Sequence, residues 1–135
     1  MHHVPNGFHA VTPYLILVDA GAFLRFAEAA FGARVLYEGR SPEGTLQHGE
    51  LQIEGSVLEL SEARPEWPPT RAALHVFVRD VDAAHARAVA VGAAVTHAPV
   101  DQPYGERSSA VRDRWGNDWF LATQTDAAAR NVAKL

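Results

Sequence analysis

The chain has 135 residues, 47% hydrophobic and 21% charged, a balance that suits one globular domain or two small halves sharing a core. Sixteen acidic against twelve basic side chains give a net charge of −4, which argues against a general nucleic-acid binder. There is no cysteine, which excludes thiol catalysis and thiolate metal ligands, and no apolar run approaches the ~20 residues of a membrane span.

The start of the chain lacks a charged segment followed by an apolar run and a cleavage site, so no signal peptide is read and the expected location is the cytoplasm. Residues 1–9 read as a loose arm. Val11–Val18 predicts a strand, with Leu15 and Leu17 on one face and Thr12, Tyr14 and Ile16 on the other. Asp19 is placed to cap a helix running to about Phe31. Phe23, Phe26, Ala27 and Ala30 give that helix one apolar stripe, and Gly32 ends it. Strands follow over Val35–Glu38, Leu46–Ile53 and Ser56–Ser61, separated by a Ser41–Gly44 turn and a Glu54-Gly55 hairpin. Residues 63–70 hold three prolines and predict an extended connection.

The second half repeats the first. A strand over Leu74–Val78, a helix over Asp80–Val91, and strands over Ala94–Ala98, Ser109–Arg112 and Asp118–Thr123 restore the same order. Asp19 and Asp80 lie 61 residues apart, Gly32 and Gly92 lie 60 apart, and Gly55 and Gly116 lie 61 apart. Matching cap, stop and hairpin positions indicate a duplication. Module 1 then covers about 10–62, a linker 63–71, module 2 about 72–124, and a tail 125–135 whose last ten residues suggest a short helix.

Several segments carry a family resemblance: Thr12-Pro-Tyr-Leu, Ala30-Phe-Gly-Ala, His48-Gly-Glu-Leu, the stretch from Leu74 to Asp82, Tyr104-Gly-Glu-Arg-Ser, and Asp113-Arg-Trp-Gly-Asn-Asp-Trp. The chain resembles the vicinal oxygen chelate superfamily, which includes glyoxalase I, bleomycin-resistance proteins and extradiol dioxygenases. It is most similar to the PhnB-like, glyoxalase-like branch. The resemblance implies an α+β fold of two tandem βαβββ modules, forming an open cup-shaped sheet with helices outside and a ligand inside. It also implies a homodimer. Leu15, Leu17, Leu58, Leu60, Val76, Val78, Trp119 and Leu121 are then expected against the helices. Thr12, Tyr14, Ile16, Glu59, Ser61, Ala73, His75, Phe77, Phe120 and Ala122 are expected on the cup face.

Metal-dependent members of that superfamily take two ligands from each module. The resemblance places those positions at Thr12, Glu59, Ala73 and Phe120, of which only Glu59 can ligate a transition metal. No metal and no cofactor is therefore expected. A displaced site built from His75 and Glu59, with His9 or His48 as third ligand, is the alternative. Glu59 and His75 are the candidate acid/base residues. In the plainer reading Glu59 pairs with Arg107 or Arg112, and His75 is a hydrogen-bonded cup residue. Arg107, Arg112 and Arg114 either clamp an anion or pair with acids such as Glu106 and Asp113. Trp67 and Trp115 are candidates for a groove wall or a dimer contact.

The leading expectation is a metal-independent small-molecule binding protein. Tyr14, Phe77, Phe120, Arg112 and Trp115 are its candidate ligand contacts, and Glu59 and His75 its polar anchors. A glyoxalase-type lyase or isomerase using Glu59 or His75 as acid/base is the alternative. A small organic molecule is the expected partner, with neither nucleic acid nor membrane.

Overall fold

The computed structural model describes residues 3–126. The helix expected in the tail falls outside them, apart from Asp126. The chain divides between Thr70 and Arg71, within the proline-containing connection, into two units.

In the first unit β1 (Tyr14–Leu17) is followed by α1 (Ala20–Phe31), β2 (Arg34–Arg40), β3 (Leu46–Ile53) and β4 (Ser56–Glu62). In the second, β5 (Ala73–Phe77) is followed by α2 (Val81–Ala90), β6 (Ala94–Gln102), β7 (Glu106–Arg112) and β8 (Asp118–Gln124). The sheets have orders β1-β4-β3-β2 and β5-β8-β7-β6. In each, the first strand runs parallel to the last and the other pairs are antiparallel. The register repeats with the expected offset. Tyr14 pairs with Glu59 and Leu15 with Leu60, while His75 pairs with Phe120 and Val76 with Leu121.

One face of each sheet packs on its helix. Leu15, Leu17, Leu58, Leu60, Trp119 and Leu121 are buried there as expected, joined by Phe23, Leu24 and Phe26 from α1 and Val81, Ala84 and Ala88 from α2. Val76 and Val78 are only partly buried. Ser61 and Ala122, expected on the open face, are buried.

The two helix starts differ from one another, and one differs from expectation. Asp80 caps α2 as read, its carboxylate accepting from the Ala83 N–H at 3.1 Å. Asp19 does not cap α1: its backbone is left-handed (φ 65) and its side chain makes no capping bond. Glu62, at the end of β4, takes over the task. Its two carboxylate oxygens accept from the N–H groups of Asp19 (2.8 Å) and Ala20 (3.0 Å). An anion at a helix N-terminus satisfies orphan donors and meets the positive end of the helix dipole. Strand β1 is shorter than the expected Val11–Val18. Pro13 has no N–H for a ladder, and Thr12 instead donates its hydroxyl to the His9 carbonyl.

Candidate functional site

Backbone register lines up one transverse row of residues in each sheet. In the first unit the row is Tyr37 (β2), Glu50 (β3), Glu59 (β4) and Tyr14 (β1). In the second it is His97 (β6), Ala110 (β7), Phe120 (β8) and His75 (β5). Directly paired residues on neighbouring strands send their side chains to the same face. Here that is the face opposite the helix.

The acidic row of the first unit gathers around His48. This residue lies two positions before Glu50 on β3 and so shares its face. His48 Nε2 is 3.0 Å from Glu50 Oε2 and 3.6 Å from Glu59 Oε1. Its Nδ1 lies 3.4 Å from the Tyr14 hydroxyl. The Tyr14 and Tyr37 rings stand 5.9 and 6.0 Å from the imidazole. Gly39 makes the Tyr37 placement possible, because a Cβ there would meet the tyrosine ring at 2.8 Å. Glu50 and Glu59 open on a cleft of about 540 Å³, which His3, Phe8, His9 and Thr12 also line.

The second unit has a smaller cleft of about 250 Å³, lined by His75, His97, Tyr104, Ser108 and Phe120 among others. His75 is exposed, and its ring lies 4.6 Å from that of Phe77, tilted by 48°. His85 of α2 is buried and its Nδ1 lies 2.9 Å from Ser109 Oγ.

The geometry can be set beside known proteins. The profile of the glyoxalase/bleomycin resistance protein/dioxygenase superfamily matches residues 7–121. The chain belongs to this superfamily. An uncharacterized protein of Mycobacterium tuberculosis (strain ATCC 25618 / H37Rv) is 34% identical over 123 residues, covering 83% of this chain and 72% of the relative. Among solved structures, TioX from Micromonospora sp. ML1 is 25% identical with a TM-score of 0.72, covering 88% of this chain and 98% of that one. TnmS3, an antibiotic binding protein from Streptomyces sp. CB03234, is 24% identical with a TM-score of 0.68, covering 92% and 99%. It shares the fold.

The four positions at which metal-dependent members of the superfamily are expected to ligate do not fit that role here. Thr12 Oγ1 is committed to the His9 carbonyl at 3.1 Å. Ala73 and Phe120 carry no donor atom, which leaves Glu59 alone. The partner of Glu59 is His48, and neither Arg107 nor Arg112. Arg107 is held by Asp82 (2.8 Å) and Asp101 (3.2 Å), and Arg112 by Asp118 (2.8 Å). The bond to Asp82 above all raises the Arg107 pKa, and Asp118 raises that of Arg112. Arg114 lies over the Trp115 ring at 4.5 Å.

Asp113 is not an arginine partner either. It is buried and accepts from the backbone N–H groups of Trp115 and Asn117 (both 2.9 Å), from Asn117 Nδ2 (3.0 Å) and from Trp119 Nε1 (2.9 Å). Asn117 Oδ1 in turn accepts from the Ala72 N–H at 2.8 Å. The Asp113–Trp119 motif is thus a structural clip that fixes the β7–β8 turn. Within the first unit the structure brings together Tyr14, His48 and Glu59 of the candidate residues, and within the second His75, Phe77 and Phe120.

Reading the sequence for ligands missed Tyr37 and left Glu50 unpaired with Glu59. A usable signal existed for the acidic pair. A two-residue turn at 54–55 pairs 53 with 56, and hence 50 with 59. None existed for Tyr37, because the β2–β3 register shifts between Val35 and Tyr37.

Proposed function

We propose that the protein binds a small organic molecule on the strand face opposite the helix of one of its units, without the four-ligand metal centre of its metal-dependent relatives. One observation carries this reading. Large aromatic side chains stand exposed on that face in each unit: Tyr14 (45%) and Tyr37 (52%) in the first, Phe77 (51%) and Phe120 (44%) in the second. Exposed aromatic groups gathered on one face of a sheet mark a place where something apolar docks. Glu59 and His75 are the polar anchors of this reading. Arg112 and Trp115 are its weakest members, since Asp118 and Arg114 already engage them. On the family resemblance alone, the same proposal makes the protein a homodimer of the PhnB-like branch, with the cytoplasm as its proposed location. Sedimentation of the purified protein tests the dimer.

A thermal-shift screen of hydrophobic antibiotics and metabolites tests the binding. A ligand at a hundred times its Kd adds about 2.7 kcal/mol of stability. Tyr14→Ala or Phe120→Ala should cut the shift, according to the unit whose face holds the ligand. The reading fails if no compound raises Tm, or if both variants leave the shift intact.

A second reading, a glyoxalase-type lyase or isomerase, is favoured by the contact of Glu59 with His48, a carboxylate–imidazole pair able to move a proton. Glu59→Gln separates the two. An enzyme would keep its ligand and lose turnover, whereas a binding protein has no turnover to lose.

A further inference from the structure

We propose that His48, Glu50 and Glu59 form a divalent-cation site on the first unit, displaced from the positions that metal-dependent relatives use and sharing only Glu59 with them. One ligand atom from each side chain lies within 4.8 Å of the others. Metal–nitrogen and metal–oxygen bonds of about 2.0–2.2 Å put neighbouring donors on one ion roughly 3.0–3.6 Å apart. The distances from His48 Nε2 to the two carboxylates, 3.0 and 3.6 Å, match this. The remaining glutamate separation closes by rotation of two unbranched side chains that are each about three-quarters buried, at 25% and 27% exposure.

The charge balance points the same way. Glu50 and Glu59 are direct cross-strand partners, and like charges in that relation repel. Among the described residues they form ion pairs with His48 alone. One imidazole offsets at most one of two carboxylates, so the cluster stays negative whatever the histidine's protonation state. A bound dication would cancel the whole deficit.

The surroundings suit an ion as well. A metal-bound histidine commonly gives its second ring N–H to an oxygen, which fixes the tautomer and the ring. Tyr14 Oη is placed for that, 3.4 Å from His48 Nδ1. The cleft beside Glu50 and Glu59 leaves coordination positions open for water or for a ligand oxygen. One imidazole with two carboxylates, and no thiolate, selects among Mn²⁺, Fe²⁺ and Zn²⁺. The site stands independently of the organic ligand proposed above, since the ion is measured alone.

The test titrates Mn²⁺ and Zn²⁺ into the metal-free full chain, following free Mn²⁺ by electron paramagnetic resonance and Zn²⁺ by calorimetry. One ion per chain is expected, with binding weakened at least tenfold in Glu59→Gln and in Glu50→Gln, and unchanged in Glu43→Gln, which alters an exposed carboxylate between β2 and β3. Circular dichroism checks that each variant is folded, and either glutamine variant alone suffices. Binding lost in a His2→Ala/His3→Ala variant but kept in both glutamine variants would assign the ion to the N-terminal arm and overturn the proposal. So would the absence of saturable binding, or stabilisation of the wild type by organic ammonium compounds but by neither metal.

Discussion

Replacing Asp113 with alanine should be among the most damaging single changes in the second unit. The carboxylate serves four donors, and three of them belong to Asn117 and Trp119, which are wholly buried. A buried donor left without a partner costs about 1–3 kcal/mol. Three such donors would cost roughly 3–9 kcal/mol if nothing relaxed. Water entering the space of the lost carboxylate recovers part of this, so a loss of about 4 kcal/mol is expected, set against the 5–15 kcal/mol that typically holds a domain folded. Asp113→Asn is the sharper probe. It keeps an acceptor for the Trp115 and Asn117 backbone N–H groups, but sets a new amide donor against Asn117 Nδ2 and Trp119 Nε1. Its loss should be smaller, about 2 kcal/mol. Urea unfolding followed by tryptophan fluorescence measures both. If the alanine variant loses less than about 1 kcal/mol, the clip is not what holds the turn, and the reasoning from stranded donors is refuted.

Three further outcomes are expected. Glu62→Ala removes the carboxylate that caps α1 and should cost about 1–2 kcal/mol in urea unfolding, whereas Asp19→Ala, with no capping bond to lose, should cost less. Phe120→Ala should change stability by under about 1 kcal/mol, because the residue is 44% exposed, while weakening a ligand held on the second unit. Glu38 has its pKa lowered below the usual 4.5, first by its hydrogen bond to Arg40 and then by Arg25. Its folded-state pKa is the lower one, so its contribution is fully present above the unfolded pKa and fades as the pH falls through the folded value. At under about 1 kcal/mol, it should vanish from the difference between wild type and Glu38→Gln in acid unfolding titrations and in high salt.

The elements that could be read from sequence are those with a local cause. Strand β3 spans the expected Leu46–Ile53, its buried Gly49, Leu51 and Ile53 alternating up to a two-residue hairpin, with Leu46 out of that phase next to the preceding turn. Helix α2 begins directly after Asp80, whose backbone is still extended and whose carboxylate accepts from the Ala83 N–H three residues on. What escaped depends on contacts between distant positions. Asp19 and Asp80 look equivalent, but Glu62, 43 residues after Asp19, captures the start of α1 and leaves Asp19 left-handed. Strand β6 runs to Gln102, beyond the expected Ala98, because β7 supplies its ladder where the sequence has no apolar alternation. The candidate site divides in the same way. Tyr14, Glu59, His75 and Phe120 follow from strand parity alone. The grouping of His48 with both glutamates needs the β3–β4 register, and the place of Tyr37 needs a bulge that no local pattern announces.

The duplication makes the two exposed rows a natural comparison. Equivalent backbone positions carry Tyr37, Glu50, Glu59 and Tyr14 in one unit and His97, Ala110, Phe120 and His75 in the other. The ladders that set these positions are made by backbone groups, and the cores lie on the opposite faces, so folding demands little of the side chains in either row. Two opposed carboxylates in the first row are in fact a cost to folding, since they repel and hold one imidazole between them. Burial and packing do not account for such an arrangement, and a bound cation does. Glu50 and Glu59 on the first sheet, where the second carries Ala110 and Phe120, therefore point to a division of labour. Charge is gathered by the module that has the larger cleft, and aromatic surface is offered by both.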